Sequence, residues 1–351
     1  MPEQHHPAEL SPPIGVSYVM PVLNDASHVR AAVESILDQE YDGPVEVLIA
    51  LGPSIDGTAE LVADLAERDA RVRVLENEVG STPAGLNIGI RAASHPVVIR
   101  VDSHSMLPRD YARTAVETLV RTGADNVGGV MDARGETPFE RAVALAYTTP
   151  VGLGGSAFHV GGEEGPVETV YLGVFRRSAL ERVGLFDETI KRGQDWELNR
   201  RLRDTGGLVW FTPRLAVTYR PRSSVERLAR QMFSTGLWRG ELARRFPADN
   251  GIRYFIPPLM VVGVVLGTLL GIGGLVQLGL GALPWMLVGF AAPLVYLLFV
   301  AVATLVYARG RGAATAGWFL VVLPCIHVAW GTGFVLGYLA LTSNISSHTG
   351  R

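Results

Sequence analysis

The chain has 351 residues, 48 % hydrophobic and 19 % charged, enough for one large or two ordinary domains. Its charge is unevenly spread: from residue 251 to 351 only Arg253, Arg309, Arg311 and Arg351 are charged, whereas residues 1–250 hold all 34 acids and 27 of the 31 bases, a net −7. The hydrophobic content excludes a disordered chain, the lone Cys325 excludes a disulfide scaffold, and the acidic first 250 residues exclude a domain that tracks nucleic-acid phosphates.

Residues 1–14 are polar and proline-rich and read as a disordered tail. They hold no apolar run that would serve as a signal peptide, and the His5-His6 pair is too short for a metal site. Val16–Val22 then reads as a buried strand, and Val29, Ala32, Val33, Ile36 and Leu37 follow at helical spacing. Val45–Leu51 is a second strand, followed by a helix with Leu61, Val62 and Leu65 inward. Val72–Leu75, a helix over Ala84–Ala93, and Val97–Val101 continue the alternation, which predicts an α/β fold with a mostly parallel sheet covered on both faces. Such sheets bind ligands at the C-terminal ends of their strands, where the polar groups here are Asn24-Asp25, Ser54–Thr58 and Asp102-Ser103-His104.

Gly128-Gly129, Gly152, Gly154-Gly155, Gly161-Gly162 and Gly165, within residues 123–165, predict a loop-rich connection, with a lid as the alternative. Regularity returns with Thr169–Arg176, a helix over Ser178–Val183, a turn over Gly184–Asp187 and a helix over Gln194–Thr205. Between residues 220 and 246, Val225, Leu228, Met232, Trp238, Leu242 and Phe246 fall roughly on one helical face, and seven arginines face two glutamates. A basic amphipathic helix beside a membrane region is expected to lie in the headgroup plane, the alternative being an ordinary solvated helix.

The 55 uncharged residues between Arg253 and Arg309 are more than a helix needs to cross the roughly 30 Å hydrocarbon core at about 1.5 Å per residue. Gly279, Gly281 and Pro284 mark a turn, giving spans near 257–280 and 285–307, with a third near 316–341. The arginines before the first span and between the second and third put residues 1–250 in the cytoplasm and the C-terminus outside, with the protein in the plasma (inner) membrane.

Two segments carry chemistry. Asp102 and His104, two residues apart past a strand end, can converge on one divalent ion, Mg²⁺ or Mn²⁺, whose other oxygens come from a substrate; the alternative is a loop-capping Asp102. Asp195 stands in the first turn of a helix, as a plain cap or as a functional carboxylate, and the neighbouring Trp196 would suit a sugar ring.

In this order these segments resemble the inverting glycosyltransferases of family 2, which use the GT-A fold. Met20-Pro21-Val22-Leu23-Asn24-Asp25 is similar to their opening P-x-x-N-[ED] strand, and Ser54-Ile55-Asp56-Gly57-Thr58 to their S-x-D-G-T. Pro83–Gly89 resembles the stretch that approaches the diphosphate, Asp102-Ser103-His104 their D-x-D motif, and Gly193-Gln194-Asp195-Trp196 their [ED]-D motif. The likeness covers roughly residues 15–225 and is nearest to the bacterial exopolysaccharide (succinoglycan-type) glucosyltransferase subgroup. Gln231, Trp238 and Arg239 are similar, at looser spacing, to the Q-x-x-R-W motif near the acceptor of membrane polysaccharide synthases.

The resemblance implies a GT-A domain over 15–222, basic interfacial helices over 223–252 and a three-helix transmembrane region over 253–345. It implies Asp195 as catalytic base; Pro21, Val22, Asn24, Asp25, Asp56, Asn87 and Asp102 around the donor; Trp196, Gln231, Trp238 and Arg239 around the acceptor; and Asp102 and His104 on the metal. The expected donor is a nucleotide-diphosphate sugar, UDP-linked in the first instance, and the expected acceptor is polyprenyl-linked or another lipid. Two departures stand out: Leu51 occupies the strand end where many relatives carry an acid, and His104 replaces the second metal-motif acid. A polyprenyl-phosphate sugar synthase and a non-catalytic scaffold of an export complex are the rival readings.

Overall fold

The computed structural model describes residue 10, residues 12–342 and residues 345 and 348; most of the tail expected over 1–14, including His5-His6, lies outside the described residues. The chain forms two compact units, one of residues 1–132 and 156–219, the other of residues 133–155 and 220–351.

The first unit opens with the expected alternation: β1 (Val16–Val22), α1 (Val29–Leu37), β2 (Val45–Leu51), α2 (Thr58–Arg68), β3 (Val72–Glu76), α3 (Thr82–Ala92), β4 (Val97–Arg100), α4 (Tyr111–Thr122) and β5 (Asn126–Ala133). After α5 (Pro138–Tyr147) and α6 (Pro150–Leu153), which group with the second unit, it resumes with α7 (Ala157–Val160), β6 (Gly165–Pro166), β7 (Tyr171–Arg176), α8 (Arg177–Arg182), α9 (Gln194–Asp204) and β8 (Val209–Tyr219). The strands form one sheet in the order β3-β2-β1-β4-β7-β5-β8-β6. β1 pairs in parallel with β2 and β4, and β2 with β3, whereas β7 runs antiparallel to β4 and β5.

All seven residues of β1 are buried, as expected of a strand covered on both faces. One apolar cluster gathers Val29, Val33, Ile36, Val62, Tyr111 and Leu119 of α1, α2 and α4; the other gathers Leu86, Leu180, Leu198 and Leu202 of α3, α8 and α9. The strand order reverses between β1 and β4, which is where such a sheet opens a crevice for a ligand.

The glycine-rich stretch is more ordered than its composition predicts. Gly128 and Gly129 lie inside β5, where an added side chain would overlap Val170 and the Leu215 carbonyl; their smallness serves close packing rather than a loop. α5 starts with Pro138 behind a capping box: Thr137 Oγ1 accepts from the Glu140 N–H at 3.2 Å, and Glu140 Oε2 accepts from the Thr137 N–H at 3.0 Å. Loop character survives at Gly154, Gly161 and Gly162, all at positive φ. The sequence reading runs one domain unbroken from 15 to 222; by compactness, residues 133–155 instead join the second unit.

That second unit continues with α10 (Val225–Arg245), α11 (Ile256–Gly279), a 3₁₀ segment over Trp285–Phe290, α12 (Ala291–Tyr307) and α13 (Ala313–Tyr338). α5 buries Phe139 and Ala142 to Tyr147, and Phe139 meets Trp318 of α13 edge to face at 5.2 Å. Three stretches, Ile252–Gly279, Trp285–Tyr307 and Ala313–Tyr338, are long and apolar enough to cross a membrane.

Candidate active site

The C-terminal ends of β1 and β4 adjoin, so the residues just beyond them share the crevice. Beyond β1, Asn24 takes a left-handed φ of 51°. Its side chain accepts from the Ile55 N–H at 2.8 Å, and its N–H donates to Ser54 Oγ at 3.0 Å. Asp56 Oδ2 accepts from the Ala26 N–H at 3.1 Å, and the Asp25 N–H donates to Thr58 Oγ1 at 2.9 Å. Asn24 and Asp56 thus lace the loop after β1 to the loop after β2 and fix where Asp25 projects. Pro21 and Val22 complete β1 beneath them.

The Asp25 carboxylate gathers three polar groups. It accepts from Ser103 Oγ, pairs with His28 Nδ1 at 2.6 Å and lies 3.6 Å from His104 Nδ1. Burial pushes its pKa up, but the hydrogen bonds from His104, Ser103 and His28 outweigh burial and hold it well below the ordinary carboxylate range.

Arg100, the last residue of β4, is the centre of the site. It is 6 % exposed, and its guanidinium donates through Nη2 to Asp102 Oδ1 at 3.0 Å and through Nη1 to Asp195 Oδ1. Asp195 reaches it from the first turn of α9, which Gly193 starts at a φ of 75°. Leu198 and Leu202 seat α9 in the apolar cluster under the sheet, and Asn199 locks it further, accepting from Asn126 at 2.7 Å and donating to Thr169 at 2.9 Å.

The two carboxylates therefore meet across one guanidinium. Burial works against the Arg100 charge, but Asp102 and Asp195 overcome it and hold its pKa above the usual arginine range. For Asp195, burial raises the pKa, the Arg100 charge and hydrogen bond pull it down, and the Asp102 charge adds to the rise; the net direction is up. A carboxylate held this way keeps some affinity for a proton, as a general base requires. Tyr171 of β7 stands near Asp102, its hydroxyl pushed far up by burial and then by the Asp102 charge.

Asp102 and His104 offer one carboxylate and one imidazole. Among the described residues no group of three or more His, Cys, Asp or Glu side chains could hold a metal ion. Asp102 is paired with Arg100 and His104 lies 3.6 Å from Asp25, so among the described residues these two side chains could serve a Mg²⁺ or Mn²⁺ ion only where substrate phosphates supply most of its oxygens. A depression lined by Leu51, Gly52, Pro53, Asn77 and Glu78 lies at the C-terminal ends of β2 and β3.

Other expected site residues are occupied by packing. The Asn87 side chain donates to the Phe186 carbonyl at 2.9 Å and to Glu188 at 2.8 Å and accepts from the Phe186 N–H at 2.9 Å, which commits it to the turn before α9 rather than to a donor. Trp196 is 8 % exposed and offers little open face to a sugar. Gln231, Trp238 and Arg239 all belong to the second unit. There Gln231 accepts from Arg222 and Tyr147, Trp238 is buried and donates to the His348 carbonyl, and Arg239 lies 3.7 Å over the Tyr254 ring and donates to Asn250. Sequence reasoning missed Arg100, His28 and Tyr171; only Arg100 left a signal, as a charged residue inside a strand otherwise apolar.

Comparison with known proteins follows the same lines. The profile of the family described as Glycosyl transferase family 2 matches residues 17–184. The succinoglycan biosynthesis protein ExoA of Rhizobium meliloti (strain 1021) is 31 % identical over 329 residues, covering 90 % of this chain and 92 % of that protein. The dolichyl N-acetyl-alpha-D-glucosaminyl phosphate 3-beta-D-2,3-diacetamido-2,3-dideoxy-beta-D-glucuronosyltransferase of Methanococcus voltae is 26 % identical over 239 residues, covering 66 % of this chain and 74 % of that protein. In fold the chain is similar to the mannosyltransferase PcManGT from Pyrobaculum calidifontis, solved with GDP-Man and Mn²⁺, at a TM-score of 0.54 and 19 % identity over 89 % of this chain and 86 % of that one.

Proposed function

The chain belongs to glycosyl transferase family 2 and has the GT-A fold, and from that premise we propose that it moves a sugar from a nucleotide-diphosphate donor to a hydroxyl of a lipid-linked acceptor, with inversion at the anomeric carbon. Asp195 takes the acceptor proton as the oxygen attacks and the bond to the diphosphate breaks. A positioned base of this kind supplies about 10²–10⁴ in rate. Arg100 holds Asp195 in place and balances its charge.

Pro21, Val22, Asn24, Asp25 and Asp56 border the nucleoside, and the depression by Leu51 and Glu78 receives its base. UDP is the first donor to test. Asp102 and His104 would hold a divalent ion, Mg²⁺ or Mn²⁺, which when bound neutralises charge on the leaving diphosphate. The names of the two relatives, one in succinoglycan biosynthesis and one dolichyl-linked, support a cell-surface polysaccharide or glycolipid product. The three apolar helices support attachment to the inner membrane, and the arginines flanking them support a cytoplasmic position for residues 1–250.

The observation that carries this reading is the meeting of Asp102 and Asp195 on Arg100 at the switch point of the sheet. It also disfavours a non-catalytic scaffold, which would have no need to keep both carboxylates. The test incubates membranes containing the protein with a panel of nucleotide sugars and a lipid extract and identifies the product by mass. A lipid gaining one hexose-sized increment in the wild type and none in Asp195→Asn supports the proposal. A single sugar on a polyprenyl monophosphate would instead assign a polyprenyl-phosphate sugar synthase.

A further inference from the structure

The three apolar helices of the second unit are not equivalent. α11 buries only Pro258, Gly271 and Gly274, and α12 only Val300, Ala303 and Thr304, so both expose apolar side chains around most of their circumference. In α13, 44 % of the most apolar stretch is buried within the protein, against 11 % and 17 % in the other two.

What covers α13 is charged. α10 runs alongside it in parallel, with Val225 near Cys325 and Leu237 near Gly337. The contact is backbone to backbone: a methyl group added at Gly236 or Gly240 would overlap the Trp330 or Phe334 carbonyl, and one at Gly333 or Gly337 would overlap the Phe233 or Leu237 carbonyl. Paired small residues four apart are the geometry of closely packed helices in a lipid setting. Yet α10 carries Glu226 and Arg230, paired and exposed, at its start, and Glu241 with Arg244 and Arg245 at its end. If α13 stood across the bilayer, this register would place Glu226 and Arg230 beside its middle, in the hydrocarbon, where charges are strongly disfavoured, while Glu241, Arg244 and Arg245 would reach its last turn.

The ends of the helices decide the matter. Three successive crossings would set the start of α11 beside the start of α13. Instead Phe255, just before α11, packs edge to face on Phe334 and Tyr338 at 5.4 and 6.1 Å, and Gly331 abuts the Pro257 carbonyl. The last turns of α13 thus lie where the chain enters α11, beside Arg239 on the Tyr254 ring. The first turn of α13 follows Arg309 and Arg311, which end α12. In the middle, Pro324 removes one helix hydrogen bond, and the exposed positions Val321 and Val328 share one apolar face.

We infer that α13 does not cross the membrane. α10 and α13 form a parallel pair lying along the headgroup boundary on the side from which α11 enters, α13 turning its Val321–Val328 face to the acyl chains. Only α11 and α12 cross, as a hairpin whose apolar tip at Leu280 and Leu283 is at the far face. The end of α13 then returns to the side that holds Arg253, opposite to the position expected from three alternating crossings. This inference rests on the second unit alone and stands whether or not the proposed reaction is correct.

Cysteine labelling tests it in the full-length protein. Cys325 is the single cysteine, so a Cys325→Ser background is silent. Single cysteines are added at Ala248→Cys before α11, Ala282→Cys at the hairpin tip and Leu341→Cys after α13, where Leu341 is 67 % exposed. Sealed vesicles of both orientations are treated with a membrane-impermeant maleimide. Leu341→Cys and Ala248→Cys reacting from the same face, with Ala282→Cys reacting only from the other, is the expected result. Leu341→Cys reacting only from the Ala282→Cys face, or from neither face until detergent is added, overturns the inference, as does Ala282→Cys reacting from the Ala248→Cys face.

Discussion

Asp195, the proposed base, shows how one arginine sets the titration of a carboxylate. Burial lifts its pKa and Arg100 restrains the lift, so the acid limb of the pH–rate profile should fall at a higher pH than an ordinary aspartate, near 3.9, would give. Because Arg100 is the lowering influence, Arg100→Gln should move that limb further up, a shift read directly from turnover against pH. Asp195→Asn should cut turnover by about 10²–10⁴ while leaving donor affinity within twofold; near-wild-type turnover would remove it as the base. Asp25 has the opposite sign. Its folded pKa is depressed, so its contribution to stability is present above the unfolded value and is lost as pH falls through the folded one. Melting temperatures of the wild type should therefore drop between about pH 5 and pH 3 more than those of Asp25→Asn. Asp102 and Asp195 were legible because their residue types sit at strand and helix ends in a known order. Arg100 was visible only as a charge inside an apolar strand, since nothing in one sequence says which acids a buried guanidinium will meet. Asn87 and Trp238 show a related limit: motif position identifies a residue but not whether packing already engages its side chain.

At the scale of elements, period was the reliable guide as far as β4, because strands buried on both faces and amphipathic helices leave contrasting patterns. It failed over 123–165, where glycine count stood in for conformation. Thr137-Pro138-Phe139-Glu140 held a helix-start signal that the glycines masked. Glycines on α10 and α13 do the opposite of loosening structure, and this can be measured. Gly337→Leu should destabilise the detergent-solubilised protein by about 1–3 kcal/mol, seen as a lower melting temperature, because the Leu237 carbonyl occupies the space a side chain needs. Gly279→Ala, where an added methyl group meets nothing, should leave melting unchanged.

For the whole molecule, calorimetry of UDP binding with and without Mn²⁺ should give metal-dependent affinity that Asp102→Ala abolishes; unchanged metal dependence would remove Asp102 as a ligand. The division of the chain also bears on truncation. A protein ending at residue 222 keeps α5 but loses α13 and α10, which supply Trp318 and Gln231 to Phe139 and Tyr147. Such a protein should aggregate, whereas one ending at 219 with residues 133–155 replaced by a short polar linker should remain soluble, a difference that sedimentation would show.

The same threading imposes a schedule on synthesis. Ala313, where the partner of α5 begins, is translated 166 residues after Tyr147. At about 5–20 residues per second the ribosome needs on the order of ten to thirty seconds to cover that distance. For that interval Phe139, Ala142 and Val143 have left the exit tunnel with nothing to bury them. The nascent chain must shelter this greasy stretch, against a chaperone or the bilayer surface, before its eventual neighbour exists.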